Sequence, residues 1–335
     1  SHLGRPIEGK YSEENSLQPI AEYLGGLLLC PVRLQKNWVE EKFAVNTNEL
    51  VVLENCRFNV GESENNEILA KKYASLTDIF IMDAFGTAHR KQASTYGVAE
   101  FSSIACAGFL FASELEALEK VMTNTQSPMI AVVGGSKVST KLSLLDSLSD
   151  KVDQLILGGG IANTFLKAQG YEIGQSLFEP NFIPQAEKII RKLQARGASL
   201  PILRDVVCGK QFDPNEPAIV KQIDQVMSDD MIFDLGPKSM QIIIEMIKSA
   251  KTILWNGPLG VFEHSQFSQG TELLAKSIAK STGYSLAGGG DTISAIQMFG
   301  VENDISYIST AGGAFLEFVE GKKLPAIEIL EARAS

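Results

Sequence analysis

One type of junction recurs in the second half of this chain, where a short apolar segment ends in glycine and is followed directly by an amphipathic stretch. Five such junctions occur, at residues 134–136, 158–160, 256–258, 288–291 and 312–314. Because parallel strands end at one edge of their sheet, these glycines should build that edge from backbone, where a phosphate can approach bare N–H groups at helix starts. Each loop alone is equally compatible with a tight turn, but five together favour a nucleotide site.

The alternation of apolar runs with stretches of helical period predicts an α/β fold built from βαβ units. A length of 335 residues suits two doubly wound parallel-sheet (Rossmann-like) domains joined by a hinge helix. Strands are predicted at residues 50–54, 78–83, 129–134, 154–158, 231–234, 252–255, 284–287 and 305–308. Helices are predicted at residues 65–75, 137–148, 163–169, 239–250, 270–281 and 292–299.

The clearest break in this pattern is the small polar linker TNTQSP at residues 123–128. It predicts an N-terminal domain of residues 1–122 and a C-terminal, nucleotide-binding domain of residues 123–318. The helical stretch 111–122, which leads into the linker, is the predicted hinge. Residues 325–334 are predicted to form a last helix with proline at its start, and the segment 319–335 is expected to return to the N-terminal domain.

The charge balance excludes several classes of function. Thirty Lys and Arg against 40 Asp and Glu leave a formal net charge of −10, so neither nucleic acid nor an anionic membrane is expected as a partner.

The four cysteines form no C-x-x-C pair, which argues against a structural metal or a disulfide scaffold and favours the cytoplasm. No apolar run of about 18 residues and no signal pattern is present.

The segment GGSKVSTK at residues 134–141 is neither a P-loop nor the G-x-G-x-x-G of a dinucleotide fold, which disfavours a nicotinamide-dependent dehydrogenase. Lys137 and Lys141 lie four residues apart at a predicted helix start and should share one face, where they oppose the helix dipole unless an anion is bound. The alternative is two solvated surface lysines. Asp291, after the glycines at 288–290, is either a helix N-cap or a ligand for Mg²⁺.

A set of basic residues stands out in the first half of this acidic chain. His2 and Arg5 lie in SHLGRP, while Arg57 and the pair His89 and Arg90 each follow a predicted strand. Arginine forks suit bidentate binding of carboxylate and phosphate, which predicts a site for a small, multiply charged anion. The alternatives are surface ion pairs for the arginines and a structural role for His89. No catalytic triad is legible at a diagnostic spacing.

Nine segments, in order, resemble the signature segments of the phosphoglycerate kinase family. They are SHLGRP (1–6), LENCRFNVGE (53–62), MDAFGTAHR (82–90), GGSKVSTK (134–141), LGGGIANTF (157–165), DLGPKS (234–239), ILWNGPLGVFE (253–263), AGGGDT (287–292) and YISTAGGAFLEF (307–318). The resemblance implies reversible transfer of a phosphoryl group between 1,3-bisphosphoglycerate and MgADP, giving 3-phosphoglycerate and MgATP. It also implies Mg²⁺ as cofactor, a cytoplasmic monomer and two domains that bind phosphoglycerate and nucleotide respectively.

The resemblance assigns a role to individual residues. It places His2, Arg5, Arg57 and Arg90 on phosphoglycerate, and Lys137, Gly290 and Gly313 at the transferring phosphoryl group. Lys141 is placed on the nucleotide phosphates, Glu263 on the ribose, and Gly236 in the segment lining the base pocket. The remaining nucleotide-binding positions are Asn256, Gly288, Gly289, Gly290, Asp291 and Thr292, with Asp291 at the magnesium position.

Two departures from the family pattern bear on this assignment. Ala311 stands where many relatives have the first of three glycines, a change of one methyl group that should leave binding intact. Relatives also carry roughly sixty residues before SHLGRP, about a third of a usual domain, including substrate-binding Asp and Asn residues and an arginine. The alternative function is therefore a nucleotide-binding fragment of the enzyme with impaired catalysis, which would turn over poorly.

Overall fold

The computed structural model describes residues 1–334, which fold into two compact units. Unit 1 contains Ser1–Phe111 and the C-terminal residues from Lys323, and unit 2 contains Ala112–Lys322. This division falls inside the helix that precedes the polar linker, whereas the sequence pattern placed it after that helix, at residue 122. The assignment of a separate function to each domain stays a prediction.

Unit 1 is built from short parallel strand pairs covered by helices. Its strands are β1 (Val32–Gln35), β2 (Leu50–Leu53), β3 (Ile79–Met82) and β4 (Ile104–Ala107). Its helices are α1 (Gln18–Leu27), α2 (Glu67–Ala74) and α3 (Val98–Phe101), and α4 (Phe109–Met122) begins in unit 1 and continues into unit 2. The strands form two separate two-stranded sheets, β1 with β2 and β3 with β4, rather than one doubly wound sheet.

The last helix belongs to unit 1, where its backbone and side chains contact the first 111 residues. The first turn of this helix contains Pro325, whose missing N–H costs nothing at that position, and the next residue, Ala326, donates its N–H to the carbonyl of Ala88 at 3.0 Å. Near the other end, Arg333 donates to the carbonyl of Ser102 at 2.7 Å. These two contacts fix both ends of the helix on unit 1.

Unit 2 is centred on a five-stranded parallel sheet. Its strands β5 (Met129–Gly134), β6 (Gln154–Gly158), β10 (Thr252–Asn256), β11 (Tyr284–Ala287) and β12 (Tyr307–Ile308) stand in the order β12-β11-β10-β5-β6. All residues of β5 and β10 are buried, as expected for parallel strands that are covered by helices on both faces. The helices of unit 2 are α5 (Leu142–Ser149), α6 (Gly159–Ala168), α7 (Ile183–Ala195), α8 (Pro237–Ser249), α9 (Gln269–Ala279), α10 (Gly290–Met298) and α11 (Gly313–Val319). The last helix of the chain, α12 (Pro325–Arg333), is the one that belongs to unit 1.

A second sheet of unit 2 departs from the predicted parallel pattern. It contains β7 (Asp205–Gly209), β8 (Ile219–Gln222) and β9 (Met231–Leu235), and β7 pairs with both neighbours in antiparallel orientation. Strand β9 was expected to join a parallel sheet, and that expectation was wrong because β9 pairs with β7. Elsewhere the α/β prediction is confirmed. Among residues 1–334, none of the helices has both the length and the apolar composition that a transmembrane span requires.

Candidate functional site

The basic residues of unit 1 lie close enough together to perturb one another electrostatically. Burial and the charges of Arg57 and Arg90 lower the pKa of His2 to about 4. Burial, together with the charges of Arg90 and Arg5, also lowers the pKa of Arg57. The structure therefore brings together the four residues that the family resemblance assigned to phosphoglycerate. Repulsion among neighbouring cations is relieved by a bound anion, so the cluster is suited to phosphate or carboxylate.

Asn55, which lies two residues after the end of β2, organises this cluster. Asn55 donates from Nδ2 to the carbonyls of Leu3 and Asn15, both at 2.8 Å, and accepts a hydrogen bond from the N–H of Arg57 at 3.0 Å. The guanidinium of Arg57 donates from Nη1 to the carbonyl of Gly4 at 2.5 Å. These bonds hold the first residues of the chain against the end of β2. Sequence reasoning did not select Asn55, because its contribution is to shape rather than to charge.

One nitrogen of the Arg57 guanidinium is available to donate a hydrogen bond to a ligand. Nη2 is buried and has no hydrogen-bond partner among the described residues, whereas Nη1 bonds to Gly4. A buried donor without a partner costs free energy, about 1–3 kcal/mol. An anion bound beside Nη2 would remove that cost.

Unit 2 contains a cavity of about 500 Å³ whose walls come from the carboxyl ends of β5 and β6, from β9, and from the loop after β10. Its lining includes Gly135, Gly160, Phe233, Glu263 and Asp291. The glycines and Asp291 come from the junctions that the sequence pattern singled out. The aromatic wall was not foreseen, because β9 belongs to the antiparallel sheet.

The glycines at this edge allow backbone segments to touch one another. A Cβ on Gly134 would lie 1.8 Å from the carbonyl oxygen of Pro258, and one on Gly158 would lie 2.3 Å from the same oxygen. A Cβ on Gly257 would lie 2.3 Å from the oxygen of Gly134. No side chain fits at these distances, so the ends of β5 and β6 and the loop after β10 pack as bare backbone.

Lys141 is a partly buried cation in this edge. Its Nζ donates to the carbonyls of Gly134 at 2.6 Å and Asn256 at 3.1 Å. Burial lowers the pKa of Lys141 to about 8, while the charge of Asp291 acts to raise it. The ammonium is therefore mostly protonated at neutral pH, and it lies where an anion beside the glycine loop would meet it.

Lys137 and Lys141 do not share a helical face, contrary to the expectation from their spacing. Helix α5 begins only at Leu142, and a 3₁₀ turn of residues Val138–Thr140 separates the two lysines. Lys137 is exposed before this turn. The i, i+4 argument fails because it requires a continuous α-helix from residue 137.

The loop of residues 288–290 is fixed by hydrogen bonds from its neighbours. Asn256 donates from Nδ2 to the carbonyl of Gly288 at 2.7 Å, and the hydroxyl of Thr292 donates to the same carbonyl at 2.9 Å. Thr292 also accepts from the N–H of Gly257 at 2.7 Å. Gly289 has a φ of 100°, which an L side chain rarely adopts. The loop therefore presents N–H groups at the start of α10 in a set conformation.

Asp291 is exposed in the first turn of α10 and is not its N-cap. The N-cap residue is Gly289, and no side chain caps the helix, so the N-cap interpretation was wrong. Residues 1–334 contain no cluster of three or more His, Cys, Asp or Glu that could hold a metal by itself. A single carboxylate fits Mg²⁺ that is bound mainly by substrate phosphates and water.

The other predicted nucleotide positions fall on and near the cavity. Glu263 is exposed on its rim. Gly236 is buried at the N-cap of α8, where a Cβ would lie 2.4 Å from Cγ of Asp205, and it is not among the residues lining the cavity. Gly313 is the first residue of α11, after β12.

The chain matches the family model described as "Phosphoglycerate kinase" over residues 1–322. It is similar to a solved phosphoglycerate kinase from Coxiella burnetii, with 53% sequence identity and a TM-score of 0.94, covering 100% of this chain and 85% of that chain. A phosphoglycerate kinase from Pyrococcus horikoshii is 28% identical, with a TM-score of 0.81 and coverage of 99% and 85% respectively. These matches support the phosphotransferase reaction that the nine sequence segments predicted.

Proposed function

Because the chain belongs to the phosphoglycerate kinase family and has its activity, we propose which of its residues bind the two substrates of that reaction. The activity is the reversible transfer of a phosphoryl group between 1,3-bisphosphoglycerate and ADP, with 3-phosphoglycerate and ATP on the other side. The observation that carries the assignment is that the motif residues form two clusters of opposite chemistry, one of basic side chains and one of glycine backbone.

Unit 1 binds the phosphoglycerate through its basic cluster. His2, Arg5, Arg57 and Arg90 face a substrate that carries phosphate and carboxylate groups, for which arginine forks are well matched. The unpartnered Nη2 of Arg57 supports a direct bond from this side chain. The low pKa of His2 makes it a neutral hydrogen-bonding group at pH 7, while the arginines supply the charge.

Unit 2 binds ATP or ADP in the cavity between β9 and the glycine junctions. Asn256 and Thr292 order the loop of residues 288–290, whose N–H groups face the phosphates at the start of α10. Lys141, held on the carbonyls of Gly134 and Asn256, supplies a cation for the same phosphates. Glu263 lies on the rim, where a ribose hydroxyl would find a carboxylate acceptor. Gly236 does not line this cavity, but it directly follows β9, whose residues form one of its walls.

Mg²⁺ fits this site through Asp291, which is exposed on the cavity wall beside the glycine loop. When bound, the ion neutralises charge on the nucleotide phosphates. The protein supplies one carboxylate, and the nearby ammonium of Lys141 already experiences the charge of Asp291. This arrangement agrees with a metal held largely by the nucleotide itself.

The reaction needs positioning and charge neutralisation rather than a general base, because the attacking carboxylate or diphosphate oxygen is already ionised. Lys137, exposed ahead of its 3₁₀ turn, is the cation that would contact the transferring phosphoryl group, with the N–H groups of Gly290 and Gly313 at two helix starts. The four free cysteines support a reducing compartment such as the cytoplasm. The family resemblance supports a monomer.

The assignment is tested by separating the two affinities. Calorimetry with MgADP and with 3-phosphoglycerate should show that Arg90→Ala weakens only phosphoglycerate binding and that Thr292→Ala weakens only nucleotide binding. Lys137→Ala should lower the single-turnover rate of ATP-dependent acyl phosphate formation by about 100-fold while both ligands still bind. Loss of both affinities in one variant, or an unchanged rate in Lys137→Ala, would contradict the assignment.

A further inference from the structure

Glu179 makes a pair of hydrogen bonds to the turn that separates the two lysines. Its Oε2 accepts the N–H of Ser139 at 2.8 Å, and its Oε1 accepts the hydroxyl of the same serine at 2.7 Å. Desolvation acts to raise the pKa of Glu179, but these bonds, the N–H of Val138 and the charge of Lys137 lower it overall. The side chain is thus a carboxylate at neutral pH, and both of its oxygens are bonded to the turn.

The segment that carries Glu179 is itself fixed to a buried helix. The N–H of Glu179 donates to the hydroxyl of Thr164 at 3.1 Å, and Asn163 donates from Nδ2 to the carbonyl of Leu177 at 3.1 Å. Asn163 and Thr164 are 3% and 0% exposed on α6. Glu179 therefore extends from a rigid element and does not move freely as most surface glutamates do.

The turn has few other supports on its outer side. The side chain of Val138 is fully buried and anchors the inner side of the turn. Within the turn, the hydroxyl of Thr140 donates to the carbonyl of Lys137 at 2.8 Å. Lys137 itself is exposed, with a long flexible side chain. A lysine that must meet a phosphoryl group in one position depends on where its backbone is held, since small displacements in a reaction site are costly.

We propose that Glu179 is a positioning residue for phosphoryl transfer, because its carboxylate fixes the turn of residues Val138–Thr140 to α6 and so places Lys137. The inference rests on the proposed role of Lys137. Glu179 does not touch the substrates in this scheme. It acts on the rate and leaves the affinity for phosphoglycerate unchanged, because the phosphoglycerate cluster belongs to unit 1.

The test compares Glu179→Gln and Ser139→Ala with the wild type in single-turnover phosphoryl transfer, which avoids limitation by product release. Glu179→Gln loses the charged acceptor and should slow transfer roughly tenfold, and Ser139→Ala, which keeps the backbone bond, about threefold. The KM for 3-phosphoglycerate should stay unchanged. The matched control is Glu187→Gln, which removes the same charge from an exposed ion pair with Arg191 at 3.5 Å and should leave the rate unchanged.

A double-mutant cycle decides whether Glu179 acts through Lys137. If it does, Lys137→Ala with Glu179→Gln should be no slower than Lys137→Ala alone. Full additivity, or a Glu179→Gln rate within twofold of the wild type, would overturn the inference. An unchanged rate in Lys137→Ala alone would instead refute the proposed role of that lysine. Circular dichroism and thermal unfolding of each variant separate a local effect on the turn from loss of the fold, which would also overturn the inference.

Discussion

The two candidate sites differ in the groups that they offer to a phosphate-bearing ligand: charged side chains in unit 1 and bare backbone in unit 2. In unit 1, basic side chains are held close together, and burial together with the charges of neighbouring arginines lowers the pKa values of His2 and Arg57. In unit 2, side chains are excluded, and backbone segments touch at Gly134, Gly158 and Gly257. The first arrangement stores electrostatic repulsion that an anion relieves, whereas the second depends on steric exclusion. The two sites should therefore fail in different ways when they are altered.

The largest effect is expected from Arg57→Ala. The variant loses a charged donor from the basic cluster, and hydrogen bonds to charged groups contribute about 1.5–3 kcal/mol each. The KM for 3-phosphoglycerate should rise about 100-fold, while the KM for MgATP stays within twofold, as measured in steady-state assays. Arg33→Ala is the control, since Arg33 is paired with Glu49 at 2.5 Å. A rise in the KM for both substrates would erase the distinction between the sites.

The next effect tests steric exclusion in unit 2. Gly158→Ala places a methyl group 2.3 Å from the oxygen of Pro258, and such overpacking costs about 1–3 kcal/mol. Nucleotide affinity should fall roughly thirtyfold, with a lower midpoint of thermal unfolding. In Gly290→Ala the new methyl group meets no atom within 4 Å, so this variant should keep its unfolding midpoint. Equal destabilisation of the two variants would show that close backbone contact is not what excludes side chains here.

A third prediction concerns pH, which should affect the nucleotide site through Lys141. Burial lowers the pKa of Lys141 to about 8, so the ammonium loses its proton as the pH rises past that value. Anion binding needs the charged form, and MgADP affinity should therefore be level below pH 7.5 and fall toward tenfold per pH unit above pH 8. Lys141→Arg, which stays charged, should bind with a flat profile over the same range. Calorimetry from pH 6.5 to 9.5 gives the measurement, and a flat wild-type profile would contradict it.

The smallest effect is that of salt on the two affinities. Arg5 is exposed, and exposed charges are screened within a Debye length of about 8 Å at physiological ionic strength. Raising the salt concentration from about 0.05 to about 0.5 M should increase the KM for 3-phosphoglycerate about threefold. The partly buried Lys141 and the glycine backbone are less accessible to salt, so MgADP affinity should change less. A stronger salt dependence for nucleotide than for phosphoglycerate would reverse the comparison.

The part of the fold that sequence reasoning predicted is the part with a simple period. Strands β5, β6 and β11 end where the pattern placed their ends, and β10 ends one residue later, at Asn256. A glycine is the last residue of β5 and β6 and directly follows β10 and β11. The antiparallel sheet was not predicted, because neither β7 nor β8 is followed by an α-helix, so the alternation of apolar runs with stretches of helical period is absent there. Strand β4 is composed mostly of small residues (IACA) and gave no apolar signal.

The site was predicted better in its residue types than in its local geometry. The basic cluster of unit 1 could be chosen by charge, and Lys141 by its place beside a glycine junction. The 3₁₀ turn after Lys137 and the N-cap role of Gly289 depend on backbone conformations that residue spacing does not determine. Glu179 and Asn55 were missed because each acts by holding another segment, which only the hydrogen bonds reveal.

The backbone contact between Gly134 and the loop at Pro258 limits how the protein can diverge. Every amino acid other than glycine carries a Cβ, and at Gly134 that atom would lie 1.8 Å from a carbonyl oxygen. Substitution of Gly134 by alanine or serine is thus sterically excluded, even though both residues are small. No such steric limit applies to the side chains of the basic cluster in unit 1, so substitutions should accumulate around unit 1's ligand sooner than at the strand ends of unit 2.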